Sequence, residues 1–355
     1  MKKHLKLLAA LLIVALLASA CSQPAAAPAA EPAKEPAAEP AAAPATEPAT
    51  EPAGEPASLA IGQPASVTLA TGGTSGAWYP IGVGIADLLT KADNNLSVSA
   101  EVTNGGVENA RLMGANTAQF GFLNNDTAYF ATKAMDAFAD EEPYEIYGVA
   151  SLYPSTMQIC VLADSGINSM EDLKGKRVVV GTAASSAATM AWTILDAYGL
   201  NEDNITGSYL SFAEGADALK DGHIDCVMVF SAHPNNALTE LSVTKKIKLL
   251  SIDAEHADQI IAEHSYFNAT TIPGGTYKDI PEDVETLSLM STICCDNTVS
   301  DAVVYQFVKG IYEGLDTLQD SHAMVAQIDV AHAPDMPIPL HPGAIAYYKE
   351  AGVLG

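Results

Sequence analysis

From residue 66 onward, short apolar runs alternate with segments whose apolar residues return every three to four positions. Residues 66–70 (SVTLA), 120–123, 176–181, 207–210, 225–230 and 246–252 have strand length and are mostly rich in β-branched and other apolar residues. Residues 97–102 alternate polar and apolar, as a half-buried strand does. Residues 144–152 and 157–162 read as two strands on either side of Pro154, because proline removes a donor from a strand ladder. Helical spacing falls at 80–91, 108–113, 126–139, 185–198, 214–221 and near 235–241, and Ser169 three residues before Asp172 predicts another helix start. Strands alternating with helices predict an α/β fold with largely parallel sheets, in which ligands bind beyond the carboxyl ends of the strands. After Glu255 the order changes to a helix at 257–263, an irregular stretch, a long apolar strand at 287–295, a helix at 300–318 and a last helix at 343–351. That tail predicts a second crossing, returning the chain to the domain in which it began.

The N-terminus follows another pattern. Lys2, Lys3 and Lys6 precede an apolar run over 7–17, and Leu17-Ala18-Ser19-Ala20 leads into Cys21. The run is shorter than the roughly 20 apolar residues of a bilayer span. A cysteine after small residues at this point predicts a signal peptide over 1–20, cut before Cys21, with Cys21 lipidated. The alternatives are an uncleaved anchor or an ordinary signal peptide. Lipidation would hold the protein on the outer face of the cell membrane. Residues 21–64 are mainly Ala, Pro and Glu, with Glu-Pro-Ala recurring from Glu31 to Glu55. From Gln23 to Ser58 it has no large apolar side chain to bury, and 21–64 reads as a disordered tether, reaching up to roughly 100 Å at about 3.1 Å per residue.

The remaining chain of roughly 290 residues is long for one domain and predicts two sharing a cleft, 65–153 with 286–355 as the first and 154–285 as the second. A formal net charge of −26 disfavours nucleic acid and anionic lipid as partners. Cys160, Cys226, Cys294 and Cys295 have no metal-site spacing. The first three lie in apolar runs and read as small core residues, while a strained disulfide between Cys294 and Cys295 is an alternative. No metal or cofactor is implied. Enzyme signatures are missing too: there is no Gly-x-Ser-x-Gly elbow, and the histidines are scattered, with His332 and His341 reading as structural.

Candidate binding residues sit where strands end. Thr71-Gly72-Gly73-Thr74-Ser75-Gly76-Ala77-Trp78-Tyr79-Pro80 follows the first strand, and its glycines allow close backbone approach before a helix start that favours an anion. It is a tight turn or a ligand loop, and it supplies Gly73, Thr74, Ser75, Trp78 and Tyr79. The second loop, Gly181 to Thr189, supplies Ser185, Ser186 and Thr189. If the two loops face each other across a cleft, they suit a small acid. Asn124-Asn125-Asp126 ends a third strand and supplies Asn125 and Asp126, with Asp126 either capping the next helix or receiving a ligand donor. Ser231 and His233 follow a fourth strand. Arg111 reads as one half of a structural ion pair and Arg177 as a surface residue.

Together these segments resemble the TAXI family of TRAP-transporter solute-binding proteins. TGGTSGAWYPIGVGIADLL is similar to that family's opening block, VTNGGVENARLM to the next, which adds Glu108, and FGFLNNDTAYFA to the block ending in Asp. PIPLHPGAIAYYKEAG resembles its C-terminal Pro-x-His-x-Gly-Ala-x-x-Tyr-Tyr ending. The resemblance implies a two-domain clamshell that is a monomer and no enzyme, binding a small organic acid or amino acid (glutamate-like, or another C4–C5 carboxylate) and delivering it to a TRAP membrane permease. One departure stands out: the family's second loop usually reads Gly-Ser-Gly-Thr, where this chain has Ala184-Ser185-Ser186-Ala187. An ABC-importer binding lipoprotein and a surface sensor or adhesion protein are the competing readings.

Overall fold

The computed structural model describes residues 59–92 and 94–355. The expected signal peptide, the lipidation site at Cys21 and the tether as far as Ser58 lie outside them. The chain runs β1 (Ala65–Ala70), α1 (Trp78–Lys91), β2 (Leu96–Glu101), α2 (Gly106–Gly114), β3 (Phe120–Asn124), α3 (Asn125–Lys133) and β4 (Ile146–Leu162). It continues through β5 (Arg177–Val179), α4 (Ser186–Ala197), β6 (Thr206–Ser208), α5 (Phe212–Lys220), β7 (Cys226–Ser231), α6 (Asn236–Thr244), β8 (Ile247–Leu250) and α7 (Ala254–Glu263). The last elements are β9 (Asn268–Ile272), β10 (Val284–Asp296), α8 (Asp301–Glu313), α9 (Leu315–Leu318) and α10 (Pro342–Glu350).

The strands join in the order β2-β1-β3-β10-β4-β7-β5-β6, with β8 added on β4 and β9 on β10. The two flanks of this path, β2-β1-β3 and β7-β5-β6, are parallel, while β10 and β4 run antiparallel to their neighbours and to each other. The fold is therefore α/β, as the alternation predicts. Two apolar cores divide along β4 and β10. Val149, Leu152 and Tyr153 of β4 pack with Leu69, Ile85 and Phe307, whereas Met157, Ile159 and Val161 pack with Val178, Ile194 and Met228. On β10, Ile293 and Cys295 join the first core and Leu287 and Leu289 the second. The chain thus passes between halves once through β4 and returns through β10.

Pro154 does not divide two strands; it sits inside a single 17-residue strand. Its partner is Met290 of β10, and pairing with β7 begins only at Thr156, so proline falls where β4 has one neighbouring strand and its missing N–H is tolerated. The helix expected over 126–139 stops at Lys133, because Ala134 takes a left-handed conformation (φ 51°), and a short 3-10 turn, Asp136–Phe138, follows. The start expected at Ser169 yields only the 3-10 turn Glu171–Leu173, with the Asp172 carboxylate accepting from the Asn168 and Ser169 N–H groups. The packed body begins earlier than residue 65: Ile61 is buried, and the Leu59 carbonyl accepts from Gln306 Nε2 (3.0 Å). Leu59 and Ile61 are the first large apolar side chains after the Ala/Pro/Glu stretch.

All four cysteines of the body are free and buried. Cys294 and Cys295 pack into different clusters, as consecutive strand residues must, so the strand itself keeps their thiols apart. Arg111 pairs with Glu141 (2.8 Å), and Arg177 holds Asp225 with two nitrogens (3.0 and 2.7 Å). The C-terminal motif is structural. The His341 Nδ1 accepts from the Gly343 N–H (3.2 Å) to cap α10, its Nε2 meets the Val299 carbonyl (3.1 Å), and the Tyr348 hydroxyl donates to the Val149 carbonyl (2.6 Å). Gly343 lies against the α8 backbone, where a Cβ would stand 2.2 Å from the Asp301 carbonyl oxygen.

Candidate functional site

Carboxyl ends of strands from both halves point into one cleft. From the first half come the loop after β1 (Gly72, Gly73, Ser75 to Trp78), the loop after β2 (Asn104 to Gly106) and Asn124 at the end of β3. From the second come Thr182 and Ser185 to Ala187 before α4, Ser211 and Phe212 at the start of α5, and Phe230 and Ser231 at the end of β7, while Ser155 of β4 forms the floor between them. The cavity within the cleft has a volume of about 70 Å³ and is partly open to solvent.

The halves touch directly around it. Thr182 Oγ1 donates to the Asn104 carbonyl (2.7 Å), the Glu108 N–H to the Ala184 carbonyl (3.2 Å), Thr127 Oγ1 to Ser186 Oγ (3.1 Å) and Asn235 Nδ2 to the Ser75 carbonyl (3.0 Å). Glycine is required in this seam: Gly105 has φ +118°, and a Cβ on Gly106 would lie 2.2 Å from Ser186 Oγ. On the floor, the Trp78 indole N–H donates to Ser291 Oγ (3.0 Å), which shares a hydrogen bond with Ser155 Oγ (2.7 Å).

The electrostatic character comes from the backbone. Among the described residues, no side chain lining the cleft is charged. Yet the N-caps of five helices, Ala77, Gly105, Asn124, Ser185 and Ser211, all line it. Each helix start carries partial positive charge and N–H groups without intrahelical partners. Ser185 and Ser211 cap their own helices, but Ala77, Gly105 and Asn124 make no side-chain cap. The first half therefore offers the starts of α1 and α2 without side-chain caps to one small space lined by uncharged residues, an arrangement that favours an anion, while at α3 the Asp126 carboxylate accepts from the Thr127 N–H.

Of the residues expected from the sequence, Gly73, Ser75, Trp78, Ser185, Ser186 and Ser231 line this cleft. Tyr79 is not part of the lining. Thr74 faces a separate groove against α5 and α6. Asn125, Asp126 and Thr189 line a groove on another side, shared with His264 and Tyr266. Glu108 holds its own loop instead, its carboxylate accepting from the Asn104 N–H (2.6 Å). His233 meets Thr156 Oγ1 through Nδ1 (3.0 Å), and burial lowers its pKa, which keeps it neutral at neutral pH. Asn124 and Thr182 belong to strand-end segments that the sequence marks without singling them out, and Asn104, Gly105, Gly106, Ser155, Ser211 and Phe212 are additions from the structure. The Asn-Gly-Gly run after the second strand was the available signal for three of them.

Asn109 was also missed, and it organises the site from behind. It is fully buried; its Nδ2 donates to the Thr71 (2.7 Å) and Phe122 (2.8 Å) carbonyls, and its Oδ1 accepts from Thr103 Oγ1 (2.7 Å). One amide thus ties together the loops after β1 and β2 and strand β3.

Asp126 is buried in the first turn of α3, where its Oδ1 accepts from the Thr127 N–H (2.5 Å) and hydroxyl (3.1 Å). Desolvation outweighs these hydrogen bonds and pushes its pKa up to about 6, with Asp136 adding to the rise. A raised carboxyl pKa stabilises the fold at low pH, and that contribution is lost as pH climbs through about 6. Asp126→Asn keeps the acceptor and removes the buried charge. Relative to the parent, it should gain up to ~3 kcal/mol between pH 4 and pH 8 in chemical denaturation. A difference that does not change with pH would contradict this.

Solved structures with a similar fold include a periplasmic transporter (11% identity, 72% of this chain and 85% of that one covered, TM-score 0.50). Two others are the alkanesulfonate-binding protein SsuA from Xanthomonas axonopodis pv. citri bound to MOPS (17%, 82% and 93%, TM-score 0.46) and the periplasmic aliphatic sulphonate-binding protein SsuA from Escherichia coli (15%, 81% and 84%, TM-score 0.43). The likeness to the first is one of fold alone. Residues 69–352, nearly the whole described body, match the NMT1-like family, and the chain belongs to that family.

Proposed function

We propose that this chain is an extracytoplasmic solute-binding protein that captures a small organic acid or amino acid between its halves and delivers it to a membrane permease. The observation that carries the reading is the convergence of helix starts from both halves on one uncharged cleft. In this reading residues 65–153 with 286–355, and residues 154–285, are the two jaws, hinged where β4 and β10 cross. A carboxylate is held by backbone N–H groups and serine hydroxyls, with no cation to neutralise it and no group placed for catalysis. Cys21 anchors the protein by lipid, and the Ala/Pro/Glu tether keeps it near its permease while leaving the jaws free to dock.

The four sequence blocks favour a TRAP permease of the TAXI type as the partner. A second reading, an ABC importer, is supported by the broader NMT1-like membership and by the Ala-Ser-Ser-Ala stretch where TAXI proteins usually have Gly-Ser-Gly-Thr. A thermal-shift panel of carboxylates and amino acids tests the shared claim. A true ligand at 100 times its Kd should add roughly 2.7 kcal/mol of stability. A panel without any shift would remove the proposal.

A further inference from the structure

Asn124 ends β3 with half of its amide in use. It is fully buried and lines the cleft, and its Nδ2 donates to the Met290 carbonyl (3.4 Å). Its Oδ1 has no partner among the described residues. An asparagine at a helix N-cap ordinarily accepts from the second or third helical N–H. Here Asp126 has taken that role by accepting from the Thr127 N–H, so Asn124 makes no cap and its carbonyl oxygen stays free. The bond to Met290 also fixes which way the amide faces, because turning it over would set oxygen against oxygen.

We propose that Asn124 Oδ1 selects the ligand, accepting a hydrogen bond from an O–H or N–H carried beside a carboxylate, and that the ligand is a two- or three-carbon hydroxy or amino acid. This rests on the carboxylate reading above and narrows it. The uncapped starts of α1 and α2 line the same cavity as Asn124, so one small molecule can meet both an anion site and a buried acceptor. Size points the same way, since the cavity of about 70 Å³ is under half of the ~150 Å³ that holds benzene. The second carboxylate of a C4–C5 diacid would find no cationic side chain among the described residues that line the cleft. A ligand without the donor leaves a buried acceptor unmet, which is what makes the site discriminate.

Isothermal titration of the full-length protein with L-lactate, L-alanine, propionate and succinate tests this, since propionate is the same three-carbon acid without the donor. Lactate or alanine should bind at least about tenfold more tightly than propionate and succinate. In Asn124→Leu, the tighter of the two and propionate should come within about threefold of each other. Propionate within about threefold of both on the unmodified protein, or succinate binding most tightly, would overturn the inference and leave the carboxylate reading standing. If none of the four binds and the thermal-shift panel is also silent, the carboxylate reading falls and takes this inference with it. The ligand comparison on the unmodified protein decides the matter even if Asn124→Leu does not fold.

Discussion

Gly106→Val should weaken ligand capture by about 100-fold or more while leaving the protein folded. Gly106 is the first residue of α2, and a Cβ there would stand 2.2 Å from Ser186 Oγ and 3.6 Å from both Ser186 Cβ and Thr127 Cγ2. Ser186 belongs to the opposite half, and its hydroxyl accepts from Thr127 Oγ1, so it cannot swing aside without breaking a contact across the seam. A branched side chain at 106 therefore penalises the closed arrangement most, because its hard clash is with Ser186 across the seam while Thr127 of its own half stands at van der Waals distance. If closure is disfavoured by about 3 kcal/mol, apparent affinity falls by about two orders of magnitude. Small-angle scattering should show the variant remaining extended when ligand is added, and its circular dichroism should match that of the parent. Binding within about threefold of the parent would show that the seam does not have to close.

Asn109→Leu should cost about 3–5 kcal/mol of folding stability, read from urea denaturation. Leucine has the same branching and number of heavy atoms but is bulkier, and it leaves the Thr71 and Phe122 carbonyls and the Thr103 hydroxyl without their buried partner. Each unmet group costs on the order of 1–3 kcal/mol, and the three are not additive, since water or backbone movement can relieve some of them. The loop after β1 should loosen as well, so the variant should lose affinity at temperatures where it is still folded. A loss below about 1 kcal/mol would mean that the amide is not the tie described here.

The elements were legible because each is governed by local periodicity. The strands at 66–70 and 225–230 and the helices at 80–91 and 185–198 all appear close to where the pattern puts them. Pro154 misled because its tolerance depends on which strands flank β4 at that point, a non-local fact. The same dependence hid Ser155, which reaches the cleft floor only because β4 runs unbroken from one half to the other.

For the site, the strand-end rule located the loops after β1, β5 and β7, since it follows from sheet architecture alone. It did not resolve single residues at the end of β3. Whether Asn124, Asn125 or Asp126 faces the cleft turns on where strand becomes helix, and a shift of one residue reverses the answer. Phe212 lies just ahead of the helix expected over 214–221, yet it begins α5 at the cleft wall. Glu108 and Asn109 are neighbours in sequence with different structural duties: the carboxylate secures its own loop, while the buried amide joins three segments.

In the proposed function, ligand enters the cleft that Trp78 lines. The chain has only two tryptophans, and Trp192, on α4, donates to the Tyr209 hydroxyl away from the cleft. In Trp192→Phe, Trp78 becomes the only indole, so its fluorescence reports on the cleft directly. Titrating that variant with the acid or amino acid that stabilises the parent should give a saturable change in Trp78 emission, with the Kd found by calorimetry. Thermal stabilisation by that same ligand with no change in Trp78 emission at saturation would place binding elsewhere and contradict the account.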